Sequence, residues 1–205
     1  MKKDIVAGLG EIGFPIYQIL SKVFPVDGYD IDSNLIPKTN KKFELYHTRF
    51  LHVCIPYNKN FVSQVLKLNK KFLPEAIVIH STIKPGTTRN IQKKLTIPII
   101  YSATRGVHKR MRSDLKKYTK FFAFDKTIHN SKASSRLYAQ LMKKSGIKTK
   151  KMSSPITLEL SKIICDTTYY GWLINYAQMS KIIADKFSVD YDEMWSFSDE
   201  IHKFL

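Results

Sequence analysis

The chain has 205 residues, enough for one domain and part of a second. With 43% hydrophobic and 12% aromatic residues it can fill a core, which excludes a disordered tail. Its net charge of +17 would draw anionic ligands, with basic clusters at His108 to Arg112, Lys116-Lys117 and Lys143 to Lys151. These cations are spread over several segments, and no zinc-finger, RNP or KH signature accompanies them, so nucleic acid is not the expected partner. No window holds eighteen uninterrupted apolar residues, so no membrane span is expected. Met1-Lys2-Lys3-Asp4 runs straight into the first strand, leaving no room for a signal peptide. Cys54 and Cys165 lack CxxC spacing and read as small core residues; a cytoplasmic protein without structural disulfides is expected.

Strand and helix signals alternate along the chain. Ile5-Val6-Ala7 is a first strand, followed by a glycine-rich turn and a helix over Phe14 to Val23, with Pro15 tolerated in its opening turn. Val26 to Ile31 is the second strand, and Phe50 to Ile55 the third, stopped by Pro56. Asn60 to Leu73 is helical, and Ala76 to His80 is the fourth strand. Pro85-Gly86-Thr87-Thr88 opens a helix that ends near Leu95, with Thr87 a candidate N-cap. Ile97 to Tyr101 and Lys120 to Phe124 are strands five and six, and Ser131 to Ser145 is a helix closed by Gly146. Short apolar strands joined by helical crossovers predict an α/β fold, a Rossmann-type doubly wound parallel sheet covered on both faces. That domain is expected over 1–152. A second, helical segment is expected over 153–205. Within it, Ile156 to Phe187 contains no proline and predicts one helix of about thirty-two residues, roughly 48 Å long. Its apolar residues wrap much of the circumference, which predicts burial against a further domain or another subunit, and the long helix predicts a homodimer. Asp190 to Phe204 forms the last helix.

The first turn carries the strongest chemical signal. Gly8-Leu9-Gly10-Glu11-Ile12-Gly13 lies between strand and helix, the setting of a dinucleotide fingerprint. Gly8 permits the tight turn, Gly10 lets the backbone approach a pyrophosphate, and Gly13 lets the helix pack close to the strand. The backbone of Glu11 and Ile12 and the helix dipole complete the anion site. Asp30, ending the second strand, can accept hydrogen bonds from a ribose. Its charge, and that of Asp32, favours NAD over NADP; Lys38, Lys41 and Lys42 would soften the repulsion. The six histidines show no metal-ligand spacing, so no metal is expected.

Three stretches make the chain resemble the N-terminal part of the UDP-sugar dehydrogenases, which oxidise UDP-glucose or UDP-N-acetylmannosamine to the uronate with NAD. They are the glycine turn with Asp30-Ile31-Asp32; Val53-Cys54-Ile55-Pro56 with His80-Ser81-Thr82-Ile83-Lys84-Pro85-Gly86-Thr87-Thr88; and Glu159-Leu160-Ser161-Lys162 with Asn175. The resemblance implies that Pro56, Ser81 and Thr82 face the cofactor, with Thr82 near the nicotinamide and positioning water. It implies that Lys162 stabilises developing charge on a substrate oxygen. Asp166, four residues after Lys162 on the expected helix face, stands where the family has asparagine and could pair with that lysine.

The chain also departs from the pattern. Arg105 stands near the place of the family's catalytic glutamate; it cannot act as a base, but it and His108 could bind an anionic substrate. The family's nucleophilic cysteine loop is expected just beyond Phe204-Leu205, which suggests an incomplete enzyme acting on a nucleotide sugar. Two alternatives stand beside this reading: a 3-hydroxy acid dehydrogenase, with Arg105 on a substrate carboxylate, or a non-catalytic NAD-binding assembly module.

Overall fold

The computed structural model describes residues 1–37 and 46–204. Lys38, Lys41 and Lys42, invoked above as moderators of the Asp30 charge, lie outside the described residues. The chain divides into two compact units, Met1–Lys162 and Ile163–Leu205.

The larger unit is an α/β sandwich. Its strands are β1 (Lys2–Ala7), β2 (Val26–Tyr29), β3 (His47–Val53), β4 (Ala76–Ile79), β5 (Ile99–Tyr101), β6 (Lys120–Phe124) and β7 (Thr149–Lys151). They form one sheet in the order β2-β1-β3-β4-β5-β6-β7. Alternation along the strands loads both faces. Val6, Phe50, Val78 and Ile100 pack on one side with helices α1 (Gly13–Leu20), α4 (Met111–Lys117) and α5 (Ser131–Lys144). Ile5, Leu51, Ile77 and Ile99 pack on the other with α2 (Phe61–Phe72), α3 (Thr87–Gln92) and α6 (Pro155–Leu160). Burial on both faces is why these strands read as continuous apolar runs.

Two expectations need correction. The sheet is mostly parallel, but β5 and β6 pair antiparallel, with Ile100 opposite Phe124 and Tyr101 opposite Ala123. A parallel return needs a crossover that carries the chain back across the sheet. Here α4 is only seven residues, about 10 Å long, and β6 starts at the same edge where β5 ends. The short strand β7, which pairs parallel to β6, was also unforeseen; its Thr-Lys-Lys sequence carries no apolar signal.

The predicted long helix is not uniform. Ser154 caps α6, accepting from Thr157 N–H at 3.3 Å, and Pro155 takes the first turn. Hydrogen bonding is π-helical over Ser161–Thr168 and α-helical again in α7 (Tyr169–Phe187).

In the smaller unit α7 ends at Ser188, whose φ is +54°, and α8 (Tyr191–Phe204) packs back on it. Tyr191 stacks on Trp195 at 5.6 Å, and Tyr176 meets Trp195 at 6.0 Å. Much of α7 stays exposed, including Trp172 at 71% and Phe187 at 71%. Cys165 is exposed too, so it is not the core residue expected; the apolar composition of its helix hid which side faces water. No helix among the described residues is long and apolar enough to cross a membrane.

Candidate functional site

The carboxyl ends of β1, β3, β4 and β5 line one edge of the sheet, and the strand order reverses between β1 and β3. Ligands of open α/β sheets bind at such switch points. The glycine turn is built for close approach. Gly8 has φ +90°, and a Cβ there would lie 2.9 Å from the Cys54 carbonyl. A Cβ at Gly13 would lie 1.6 Å from the Gly8 oxygen, so helix and turn touch backbone to backbone. Gly10 is the opposite case: nothing lies within 4 Å of the position its Cβ would take. Two glycines therefore hold the turn shut, and the third leaves open space above it. Glu11 is exposed at the turn, and Ile12 is the half-buried N-cap of α1.

Asp30 is wired into this turn. Its carboxylate accepts from Leu9 N–H at 2.6 Å and from Asp32 N–H at 3.0 Å. A carboxylate offers about four acceptor sites, so two remain for another donor. Asp32 accepts from Asn34 N–H at 3.0 Å and caps a short 3-10 turn, Ser33–Leu35.

The neighbouring loops are tied together in the same way. Ser81 Oγ donates to the Ile55 carbonyl at 2.6 Å, linking the segment after β4 to that after β3. Thr82 and Pro56 are exposed beside this link. The predicted cap at Thr87 is not the one used. Gly86, with φ +89°, is the N-cap of α3, and the cap comes from far along the chain. The buried carboxylate of Glu159 accepts from Gly86 N–H at 2.6 Å, Thr88 N–H at 2.9 Å and Thr88 Oγ1 at 2.6 Å. No local pattern announces this contact.

After β5 the chain passes Ser102, Ala103 and Thr104, all buried. Arg105 follows, half-buried, with its guanidinium 5.4 Å from the Tyr118 ring centroid. Asp114 accepts from Val107 N–H at 2.9 Å and Arg110 Nε at 3.2 Å, which closes this loop; the Val107 bond leads in holding its carboxyl below the usual range. His108 begins a 3-10 turn, His108–Arg110, and its side chain lies outside the described part.

Lys162 is the last residue of the larger unit and Asp166 belongs to the smaller one; both are half-buried. They fall in the π-helical stretch, where bonds run from i to i+5.

Beneath the site lies a polar cluster that sequence reasoning overlooked. Lys120 opens β6 and shares a face with Phe122 and Phe124. Its buried amine donates to the carbonyls of Ser102 at 2.9 Å and Ala103 at 3.3 Å, and lies 3.0 Å from Thr104 Oγ1. Burial pulls the amine down to about 7. Tyr138 donates to Ser102 Oγ at 2.8 Å. His52 Nδ1 and His80 Nε2 meet at 2.9 Å, both rings buried. Burial first, then the charge of Lys120, holds His80 well below its ordinary 6.5. Cys54 lies just past β3, half-buried against this cluster, and burial pushes its thiol up to about 12. The alternation of Lys120 with Phe122 and Phe124 was the available signal for an inward lysine. Among the described residues no group of histidine, cysteine and carboxylate side chains could hold a metal.

No protein-family model and no curated protein matches the sequence. Solved structures match in fold. A UDP-D-ManNAc dehydrogenase from Pyrococcus horikoshii aligns with 98% of this chain over 58% of its own, at TM-score 0.75 and 16% identity. The UDP-N-acetyl-mannosamine dehydrogenase of Staphylococcus aureus aligns over the same shares at TM-score 0.71 and 16% identity. A Mycobacterium tuberculosis 3-hydroxyisobutyrate dehydrogenase aligns with 96% of this chain over 69% of its own, at TM-score 0.70 and 13% identity. The chain thus spans 58% of the length of the two nucleotide-sugar dehydrogenases, and its fold, a mostly parallel Rossmann-like sheet with a following helical segment, is the one it shares with these three dehydrogenases.

Proposed function

We propose that this chain is the NAD-binding portion of an oxidoreductase of the UDP-sugar dehydrogenase type. One observation carries the reading: the Gly10 backbone faces open space while Asp30, bonded to the same turn, keeps acceptor capacity beside it. The residues fit a dinucleotide. Gly8 to Gly13 would cradle the pyrophosphate on backbone amides, and Asp30 would accept from the adenosine ribose. Its negative charge would repel a 2′-phosphate, which supports NAD over NADP. The bound nicotinamide would supply a hydride acceptor.

The chain's own groups do the rest. Pro56 and Ser81 wall the site, and Thr82 offers an exposed hydroxyl to order water or substrate. Lys162 would place positive charge beside an oxygen becoming anionic. Asp166, a carboxylate where an amide is expected, would bind substrate or restrain a cation. Arg105, with His108, would hold an anionic substrate group. In this reading 1–152 forms the cofactor domain and 153–205 the start of a dimerisation domain, the enzyme works in the cytoplasm, and the exposed aromatic and aliphatic side chains of α7 meet a second copy.

A second reading, a 3-hydroxy acid dehydrogenase, draws on the half-buried guanidinium of Arg105 just past β5, where a substrate carboxylate would reach it.

Calorimetric titration with NAD, NADH and NADP at matched ionic strength tests the proposal. Micromolar NAD or NADH binding with NADP roughly tenfold or more weaker is expected, since a bidentate acceptor is replaced by charge repulsion. No dinucleotide binding would overturn it.

A further inference from the structure

We infer that the larger unit carries a second anion-binding surface, a cationic face formed by α4 and the end of α5 that takes the phosphate backbone of a nucleic-acid duplex. The inference goes beyond the dinucleotide reading and does not depend on it.

It begins with where the charge lies. Residues 105–151 hold fifteen lysines and arginines against two acids, a net +13 out of the chain's +17. Neither acid offsets the cations at this face. Asp114 is buried, its carboxylate turned inward to Val107 N–H and Arg110 Nε. Asp125 follows the far end of β6, where it is tied to Thr127.

Read along the chain, the basic clusters are separate; the fold joins them. β5 ends and the antiparallel β6 begins at the carboxyl edge of the sheet, so α4 between them stays at that edge. β7 runs parallel to β6, so the end of α5, which leads into β7, comes to the same edge. There Lys116 reaches the turn that closes α5: its Cε lies 4.0 Å from the place a Gly146 Cβ would take. Lys143, Lys144 and Lys148 flank that turn, all exposed. On its other side α4 borders α1, and Pro15, Lys109, Arg110, Arg112 and Lys116 line an open groove of about 460 Å3. Lys116 belongs to both groove and turn, which makes them one continuous cationic surface.

The composition of this surface selects the ligand. Its apolar residues Met111, Leu115 and Ile147 are buried, so none projects to insert among lipid chains. Neither 108–117 nor 143–151 contains Phe, Tyr or Trp, so unpaired bases find no stacking platform. What it offers is exposed cations with no base-reading element. That chemistry meets the regularly spaced phosphates of a duplex and ignores its sequence. A zinc-finger, RNP or KH signature bears on base readout, and phosphate contact needs none of them.

The test is fluorescence anisotropy of the full chain with labelled DNA and RNA duplexes of about 20 base pairs, each in two unrelated sequences, from about 50 to 200 mM salt. If each of the four groove cations meets one phosphate, log K against log salt has a slope of about −3.6, and affinity falls on the order of a hundredfold over that range. Lys109→Gln/Arg112→Gln/Lys116→Gln should reduce the slope by about three and weaken binding at about 100 mM salt by at least about tenfold, alike for every sequence. The control is Lys67→Gln/Lys70→Gln/Lys94→Gln, which removes the same charge from exposed positions on α2 and just past α3, against the other face of the sheet. Charges more than about 10 Å from the duplex are screened at this ionic strength, so the control should bind within about twofold of wild type. If the groove variant does not fold, Lys116→Gln alone decides, with a slope reduced by about one. Binding of either duplex in this pattern supports the inference, and the two arms tell which backbone is preferred. Equal losses in the two triple variants, an affinity that ignores salt, or a strong preference for one sequence overturns it. Binding of phosphatidylserine vesicles with no binding of either duplex overturns it too.

Discussion

Replacing Glu159 with glutamine should loosen the whole larger unit. The carboxylate receives three hydrogen bonds, from Gly86 N–H, Thr88 N–H and Thr88 Oγ1, at 2.6 to 2.9 Å. Bonds to a charged acceptor contribute roughly 1.5–3 kcal/mol each. Glutamine keeps one carbonyl oxygen but turns an NH2 toward a donor. Whichever way the amide faces, at least one backbone N–H is left buried without an acceptor, a loss of about 1–3 kcal/mol. The charge assistance of the remaining bonds is lost as well. The sum is about 2–4 kcal/mol, which for a chain of this size lowers Tm by about 5–15 °C. Far-UV circular dichroism during a thermal ramp measures it, with Glu75→Gln as the surface control. Lys2 and Glu75 pair at 2.6 Å with both side chains about half exposed, so that control should move Tm by no more than about 2 °C. A Glu159→Gln variant melting together with the control would refute the capping role.

The remaining predictions concern the turn, the buried titrating groups and the thiols. Gly13→Ala must displace the Gly8 carbonyl and should yield little folded protein, whereas Gly10→Ala should keep the wild-type Tm yet lose NADH binding by roughly tenfold or more, since its methyl enters the space a pyrophosphate would use; equal NADH affinity would contradict this. His80 has its folded pKa depressed, so the unfolded chain binds the extra proton first: stability is intact above pH 6.5 and is lost progressively as pH falls from there toward the lower folded value, which urea melts at pH 7.5 and 5.5 will register. Lys120 works in the same sense over a higher window: its contribution should rise as pH climbs from about 7 to 10.5, and Lys120→Met should remove that slope. Ellman's reagent should titrate one fast thiol, abolished by Cys165→Ser, while Cys54, half-buried with its thiol pushed up to about 12, reacts slowly.

Periodicity made most of the larger unit legible. Strands such as Phe50 to Val53 and Ala76 to Ile79 are fully buried runs, and their apolar residues announced them. The glycine turn was legible for a different reason: a side chain at Gly13 would meet the Gly8 oxygen five residues before it, and that constraint is local, although Gly8 itself is closed in by the distant Cys54 backbone. What stayed hidden depends on partners distant in sequence. The direction of β6 is set by how far α4 carries the chain, and Thr149-Lys150-Lys151 becomes a strand only because β6 offers it an edge. Thr87 looked like a cap because Glu159 cannot be seen from residue 87. The long apolar helix hid its π-helical stretch, since composition does not specify whether bonds close at four or five residues.

The Glu159 tie has a consequence for how the protein is made. The amides it satisfies lie 71 and 73 residues earlier in the chain. While a ribosome is still building the sheet, the Gly86 turn exists without its cap, and strands β4 and β5 flank a loop whose donors have only water. The turn can settle only after α6 has emerged. A nascent chain halted at β7 would hold every strand of the sheet and still be open to proteases between Lys84 and Arg89; one extended past residue 160 would be closed there. The smallest self-sufficient unit is thus set by a carboxylate outside the sheet rather than by the last strand.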